Sequence, residues 1–214
     1  MNLGELQTAL GDLLEVDDDR LPGAVRTRYL NKAIRGLEFD LEGPWTTDTG
    51  SLPVTAGDNE YHPATEITGA SLVFSQPELV FYAIDGGARE IEYLSWSDFT
   101  GLYRLRVITL ANPLYYAMRG GWLFLGPTPI QTMTVSVDFM GHAPPLVAPG
   151  DSNSWTAEAS DLVLAEAAAH LCAWLLEDER APVFQAEAMA ERESLVLHWS
   201  HLHSRGRVME GEEV

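Results

Sequence analysis

Apolar residues recur along this chain with two different periods, and the change of period divides it. Leu3, Leu6, Leu10 and Leu13 or Leu14 share one stripe, which predicts a helix over 3–14. The triplet Asp17-Asp18-Asp19 ends that pattern. Val25, Tyr29, Ala33, Leu37 and Leu41 then recur every four residues, with Leu30 and Ile34 widening the stripe. They predict a second helix over about 21–41, with Pro22 in its first turn and Gly43-Pro44 as its stop.

From about 51 to 141 the period shortens, and proline and glycine become frequent. Leu79 to Ile84, the turn Asp85-Gly86-Gly87, and Arg89 to Leu94 read as a hairpin. Tyr115 to Met118 and Trp122 to Leu125 flank Gly120-Gly121 and read as a second. Met133, Val135, Val137 and Phe139 alternate with Thr132, Thr134, Ser136 and Asp138, the pattern of a half-buried strand. Ser95 to Tyr103 is polar and aromatic and suits a short helix between the hairpins.

Helical texture returns after a linker from Pro144-Pro145 to Ser154, with Thr156 as the expected cap. From Leu162 to Leu176 only Glu166 and His170 are polar, so that helix must be covered on most sides. A chain of this size offers few elements to cover it, which favours packing between subunits over a central helix in a monomer. Leu164, Ala168 and Leu175 are the expected subunit-interface residues. After a turn over 177–182, Pro182 opens a last helix with Phe184, Ala188, Leu195, Trp199 and Leu202 on its buried stripe.

The expected fold class is therefore α+β. The N- and C-terminal helices form one helical domain, and an antiparallel β-sandwich or open-barrel module is inserted into it. The expected boundaries are 1–48 for the N-terminal helices, 49–149 for the β module, 150–203 for the C-terminal helical hairpin and 204–214 for a flexible tail. Trp45 and Trp155 each fall where a helix meets the β module and read as hinge anchors.

Charge narrows the function. The 214 residues hold 13 Lys+Arg against 32 Asp+Glu, a formal net charge of −19. That balance argues against a sequence-reading nucleic-acid binder, which needs a basic face, and against docking on anionic membrane. Residues 150–214 carry the largest excess, 13 acids against 4 bases. No apolar run is long enough for a membrane span, and the acidic start, with Glu5 and Asp12, reads as native helix.

Candidate chemistry is sparse. His198 and His201 share a helix face, and His203 points elsewhere, with no H-E-x-x-H pattern or cysteine pair in support. A solvated face or subunit contact is the simpler reading. Asp17-Asp18-Asp19 lacks the alternating spacing of a calcium loop. Gly86-Gly87 and Gly120-Gly121 lie between strands, not at a phosphate-binding helix start. Cys172, the single cysteine, sits in an apolar run and reads as a small buried hydrophobe. Asp98 and the other carboxylates show no readable pairing. No catalytic residue, metal site or cofactor is expected.

Four stretches carry a family resemblance. The first is Tyr29-Leu30-Asn31-Lys32-Ala33-Ile34-Arg35-Gly36-Leu37, followed by Gly43-Pro44-Trp45. The second is Asn112-Pro113-Leu114-Tyr115-Tyr116 leading into Trp122-Leu123-Phe124-Leu125-Gly126-Pro127-Thr128-Pro129. The third is the strand Thr134 to Phe139 with Pro144-Pro145-Leu146, and the fourth is Trp155-Thr156 with Asp161-Leu162-Val163-Leu164 and an alanine-rich helix. In this order they resemble the head-to-tail adaptor, or connector, proteins of tailed bacteriophages, over about residues 5 to 200. Ser51 to Gln76 departs from that family's pattern.

The resemblance implies a structural virion protein made in the host cytoplasm and placed in the neck. It implies a homo-oligomeric ring, usually dodecameric, between the portal protein and the tail or nozzle proteins. DNA is then passing cargo in an acidic channel, not a ligand. A head-completion or tail-tube protein, a receptor- or carbohydrate-binding β module, and a wall-degrading enzyme are the competing readings.

Overall fold

The computed structural model describes residues 1–41, 45–84, 87–104, 110–176 and 178–209, with side chains as far as residue 200. The expected stop at Gly43-Pro44, the turn residues Asp85 and Gly86, Glu177, the side chains of His201, Leu202 and His203, and the end of the tail lie outside the described residues. The chain forms two compact units, Met1–Leu41 with Pro145–Val214, and Glu42–Pro144.

The first unit is helical. Helix α1, Leu3–Leu14, opens with a reciprocal cap: Glu5 N–H donates to the Asn2 side chain, and Asn2 N–H donates to the Glu5 carboxylate, both at 2.9 Å. Its leucines at 3, 6, 10 and 14 are buried as the stripe predicts. Helix α2, Gly23–Asp40, is rotated from expectation. Its buried face is Arg26, Leu30, Ala33, Ile34 and Leu37, while Val25, Tyr29 and Leu41 are only half-buried. The cause is Arg26, which a polarity pattern assigns to solvent. Its guanidinium donates to the carbonyls of Gln7 (3.1 Å) and Val16 (3.2 Å) and pairs with Asp18 at 2.9 Å, so its charge is compensated inside the bundle. Pro22 is the residue before α2 rather than its first turn.

Thr156 does not cap the long C-terminal helix. Asn153 caps a short helix α5, Ser154–Glu158, in which Thr156 is the third residue and returns a bond to the cap. Helix α6 follows, Ser160–Leu171, and ends in a π-helical turn, Cys172–Leu176. Helix α7 is Ala181–Met209. Helices α1, α2, α5 and α7 all pack on α6, whose residues Leu162, Val163, Ala165, Ala167, Ala168, Ala169 and Leu171 are buried. The all-round apolar helix is thus the central helix of its own unit; its alanines let four neighbours approach. The start of the chain is tied in as well. The N-terminal ammonium donates to Thr156 O at 2.7 Å, and Leu3 and Gly4 N–H donate to Asp151 and Pro149 carbonyls at 2.8 Å.

The second unit is built from two four-stranded sheets. One contains β1 (Thr47–Val54), β10 (Met133–His142), β3 (Val73–Ile84) and β4 (Gly87–Glu90), all antiparallel in that order. The other contains β2 (Glu60–Tyr61), β8 (Trp122–Gly126), β7 (Tyr115–Arg119) and β5 (Glu92–Tyr93), with β5 and β7 parallel. A parallel pair of β6 (Leu110–Ala111) and β9 (Thr128–Pro129) stands apart. Leu52, Val54, Val80, Val135, Val137 and Phe139 of the first sheet share one core with Tyr61, Tyr116, Leu123 and Leu125 of the second. Among the described residues the unit is a two-sheet packing with no closed barrel. Arg89 to Leu94 is not one strand: the chain leaves the first sheet at Glu90 and joins the second at Glu92, with Ile91 buried between. The β7–β8 hairpin turns at Gly120 and Gly121, whose φ of +60° and +83° are values glycine tolerates. The short helix expected over Ser95 to Tyr103 is α4, Trp96–Phe99, which continues as a π-helical turn to Arg104; α3, Pro63–Glu66, is a further short helix that the sequence reading did not include.

Candidate interaction surfaces

Leu164 is half-buried, Ala168 is 0% exposed and Leu175 is 48% exposed. Ala168 is covered by the chain's own helices, while Leu175 stays open. Four helices of the same unit, α1, α2, α5 and α7, reach α6, more than a 214-residue chain was expected to supply. Trp45 and Trp155 are both buried, Trp45 in the segment of the β unit and Trp155 in that of the helical unit.

The apolar surface left open lies elsewhere. In the helical unit Phe39 is 90% exposed, Trp174 75%, Val183 and Met189 64% each, and Leu197 60%. Single apolar side chains on a surface are ordinary, whereas a contiguous run of them marks an interaction site. Helix α7 is fixed against the bundle by Arg192, which donates to Asp40 Oδ2 at 2.9 Å and Glu166 Oε1 at 2.8 Å. Phe184 and Ala188 are buried on that inward side. Of the expected inner stripe, Phe184 and Ala188 are buried and Leu195 and Trp199 half-buried; the outer stripe was missed. The signal was present as a second apolar spacing, Val183, Ala186, Ala190 and Leu197.

In the β unit, the Arg104 and Arg119 guanidiniums lie 5.2 Å and 4.9 Å from the Trp96 ring centre. Arg104 also pairs with Glu60 at 2.8 Å. The exposed rings Trp122 and Tyr93 are each packed on a neighbour, Trp122 edge-on to His62 and Tyr93 edge-on to Tyr116. Gly126 passes beneath Phe99 and Tyr103, where a side chain would collide with both rings.

The polar groups singled out from the sequence have local roles. Asp17 accepts from Arg20 N–H, Asp18 pairs with Arg26, and Asp98 accepts from Ser95 within the cap of α4. His198 is exposed beside Glu191 and Ser194. Among the described residues no three His, Cys, Asp or Glu side chains are placed to hold a metal. Burial and the nearby Asp178 push the Cys172 thiol up, away from a reactive thiolate. Among the described residues, the carboxylates with a resolved shift, Asp48, Asp151 and Asp178, are all lowered. Hydrogen bonds lower Asp151 and Asp178; in Asp48 they outweigh burial. Among the described helices none is long and apolar enough to cross a membrane.

The family model described as SU10 adaptor protein matches residues 1–207, and the chain belongs to that family. It is a structural phage adaptor protein, a component of the virion neck. No curated protein matches the chain.

Proposed function

We propose that the protein is the head-to-tail adaptor that forms a homo-oligomeric ring under the phage portal, extends the DNA channel and docks the tail. The observation that carries this reading is the family match over residues 1–207. Charge supports it. A channel for DNA has to repel phosphates so that the duplex slides without sticking. The chain carries −19, and Glu158, Asp161 and Glu191 of its most acidic segment are exposed. DNA is then cargo in a wall of like charge. The portal protein lies on one side of the ring and tail or nozzle proteins on the other.

Electron microscopy of the purified chain mixed with its portal tests the proposal. A ring stacked on the narrow end of the portal is the expected result. A chain that stays monomeric and leaves the portal bare would overturn it.

A further inference from the structure

The two bare helix faces of the helical unit complement each other. On α7, Val183, Ala186, Ala190, Glu193 and Leu197 are all exposed and follow a 3-4-3-4 spacing. That is the spacing of a seam that packs against another helix. The carboxylate of Glu193 interrupts the seam, and exposed Glu187 flanks it. On α2, Arg28, Lys32, Arg35 and Phe39 are exposed at a 4-3-4 spacing, opposite the buried Leu30, Ala33 and Leu37. This seam has the opposite chemistry: three cations and one aromatic ring. Arg35 pairs with Glu38 at 3.2 Å. Among the described residues Arg28 and Lys32 pair with no carboxylate, and the Lys32 ammonium lies over the Tyr29 ring.

We propose that the α2 seam of one copy docks on the α7 seam of the next, making the heterologous contact that closes the ring. The inference rests on the ring reading given above. Its occupant is a second copy of this chain because each copy carries both halves of the match. Two different patches on one molecule generate a ring or a helix, whereas a two-fold dimer needs one self-complementary patch. Copies of charge −19 repel one another, so a contact must bring cations to the carboxylates. Among the described residues Arg28 and Lys32 are the α2 cations with none of their own. Phe39 supplies the apolar anchor, and Val183, Ala186 and Leu197 supply the surface that receives it.

The test uses the full-length chain with its purified portal, read by electron microscopy and by mass in solution. The double variant Arg28→Glu/Lys32→Glu and the double variant Glu187→Arg/Glu193→Arg should each lower the ring fraction about tenfold, by putting like charges across the contact. The four-fold combination should restore rings. Circular dichroism and melting within a few degrees of the wild type show that the fold is kept, which is expected because all four side chains are exposed. Phe39→Ser should weaken rings without changing their salt dependence. Rings that persist in either double variant would overturn the inference and leave the ring reading standing. Loss in both without rescue in the combination would also overturn it, assigning one face to the portal instead. A wild type that never forms rings would remove the ring reading itself, and this contact with it.

Discussion

Arg26 and Gly11 are fitted to each other: a Cβ on Gly11 would stand 2.7 Å from Arg26 Nη1. The guanidinium occupies the space that a side chain at position 11 would fill, and three contacts hold it there. Alanine at 11 should therefore destabilise the wild type by about 1–2 kcal/mol despite its higher helix propensity. In an Arg26→Ala background the clash is gone, and Gly11→Ala should become stabilising by about 0.5–1 kcal/mol. Arg26→Ala itself should cost about 2–3 kcal/mol, since it strips a partner from the Val16 carbonyl and leaves a cavity. Denaturant unfolding of the four proteins in the cycle measures all of these. Additive effects would show that the two residues do not compete for one space.

Asn31 ties α2 to the chain that returns from the β unit. Its Nδ2 donates to Leu146 O and its Oδ1 accepts from Leu146 N–H, both at 2.9 Å. The amide thus pairs with a backbone as a neighbouring strand would. Asn31→Ala should cost about 1–3 kcal/mol and speed hydrogen exchange at the Leu146 amide. Asn31→Asp keeps the acceptor and loses the donor, so the carboxylate faces the Leu146 carbonyl. It should be at least as damaging. Unchanged exchange at Leu146 in both variants would contradict the role.

These two pairs show where the sequence could be read and where it could not. The periods of α1 and β10 are carried by side chains that face one environment each, so Leu3, Leu6 and Leu10, and Val135, Val137 and Phe139, were legible. The orientation of α2 was not, because it depends on Arg26 finding two carbonyls and Asp18 that lie 8 to 19 residues away. A polarity pattern has no term for a charge compensated at that range. The change of sheet at Ile91 and the parallel β5–β7 pair were hidden for the same reason: pairing partners far along the chain fix them. The surfaces split likewise. Acidity was visible as composition, whereas the outer seam of α7 emerged only when Phe184 and Ala188 had fixed which face is inside.

Asp48 gives the β unit a defined acid sensitivity. Its carboxylate accepts from Ser71 N–H (2.6 Å), Ser71 Oγ–H (2.9 Å) and Leu72 N–H (3.0 Å), pinning that loop to β1. Burial alone would raise its pKa; the hydrogen bonds outweigh it and hold it below the ordinary 3.8. A depressed folded-state pKa contributes stability that is complete above the unfolded value and is lost as pH falls through the folded one. Asp48→Asn should therefore cost about 1–2 kcal/mol at pH 7. The gap between variant and wild type should close as pH drops below 3.8, where the wild-type carboxyl takes up its proton. Melting temperatures of both proteins from pH 7 to pH 3 measure this. A gap that stays constant over the range would show that the charge is not what Ser71 and Leu72 recognise.

Arg192 holds α7 to two other helices at once, with Asp40 of α2 at 2.9 Å and Glu166 of α6 at 2.8 Å. Glu166 is the more enclosed acid, its side chain 21% exposed against 46% for Asp40. Removing the cation leaves a carboxylate against the apolar centre of the bundle, which costs more than the pair itself is worth. Arg192→Ala should lose about 2 kcal/mol, and Glu166→Gln should recover part of that loss in the double variant because the orphaned charge is gone. Lysine at 192 should not rescue fully, since one ammonium lacks the planar fork that reaches both carboxylates. Asp40→Asn alone should be mild, because that carboxylate is well hydrated. The ordering Arg192→Ala, then Arg192→Lys, then Asp40→Asn, read from unfolding free energies, checks the arrangement. If Asp40→Asn proved the most damaging, the anchor of α7 would be its contact with α2 rather than with α6.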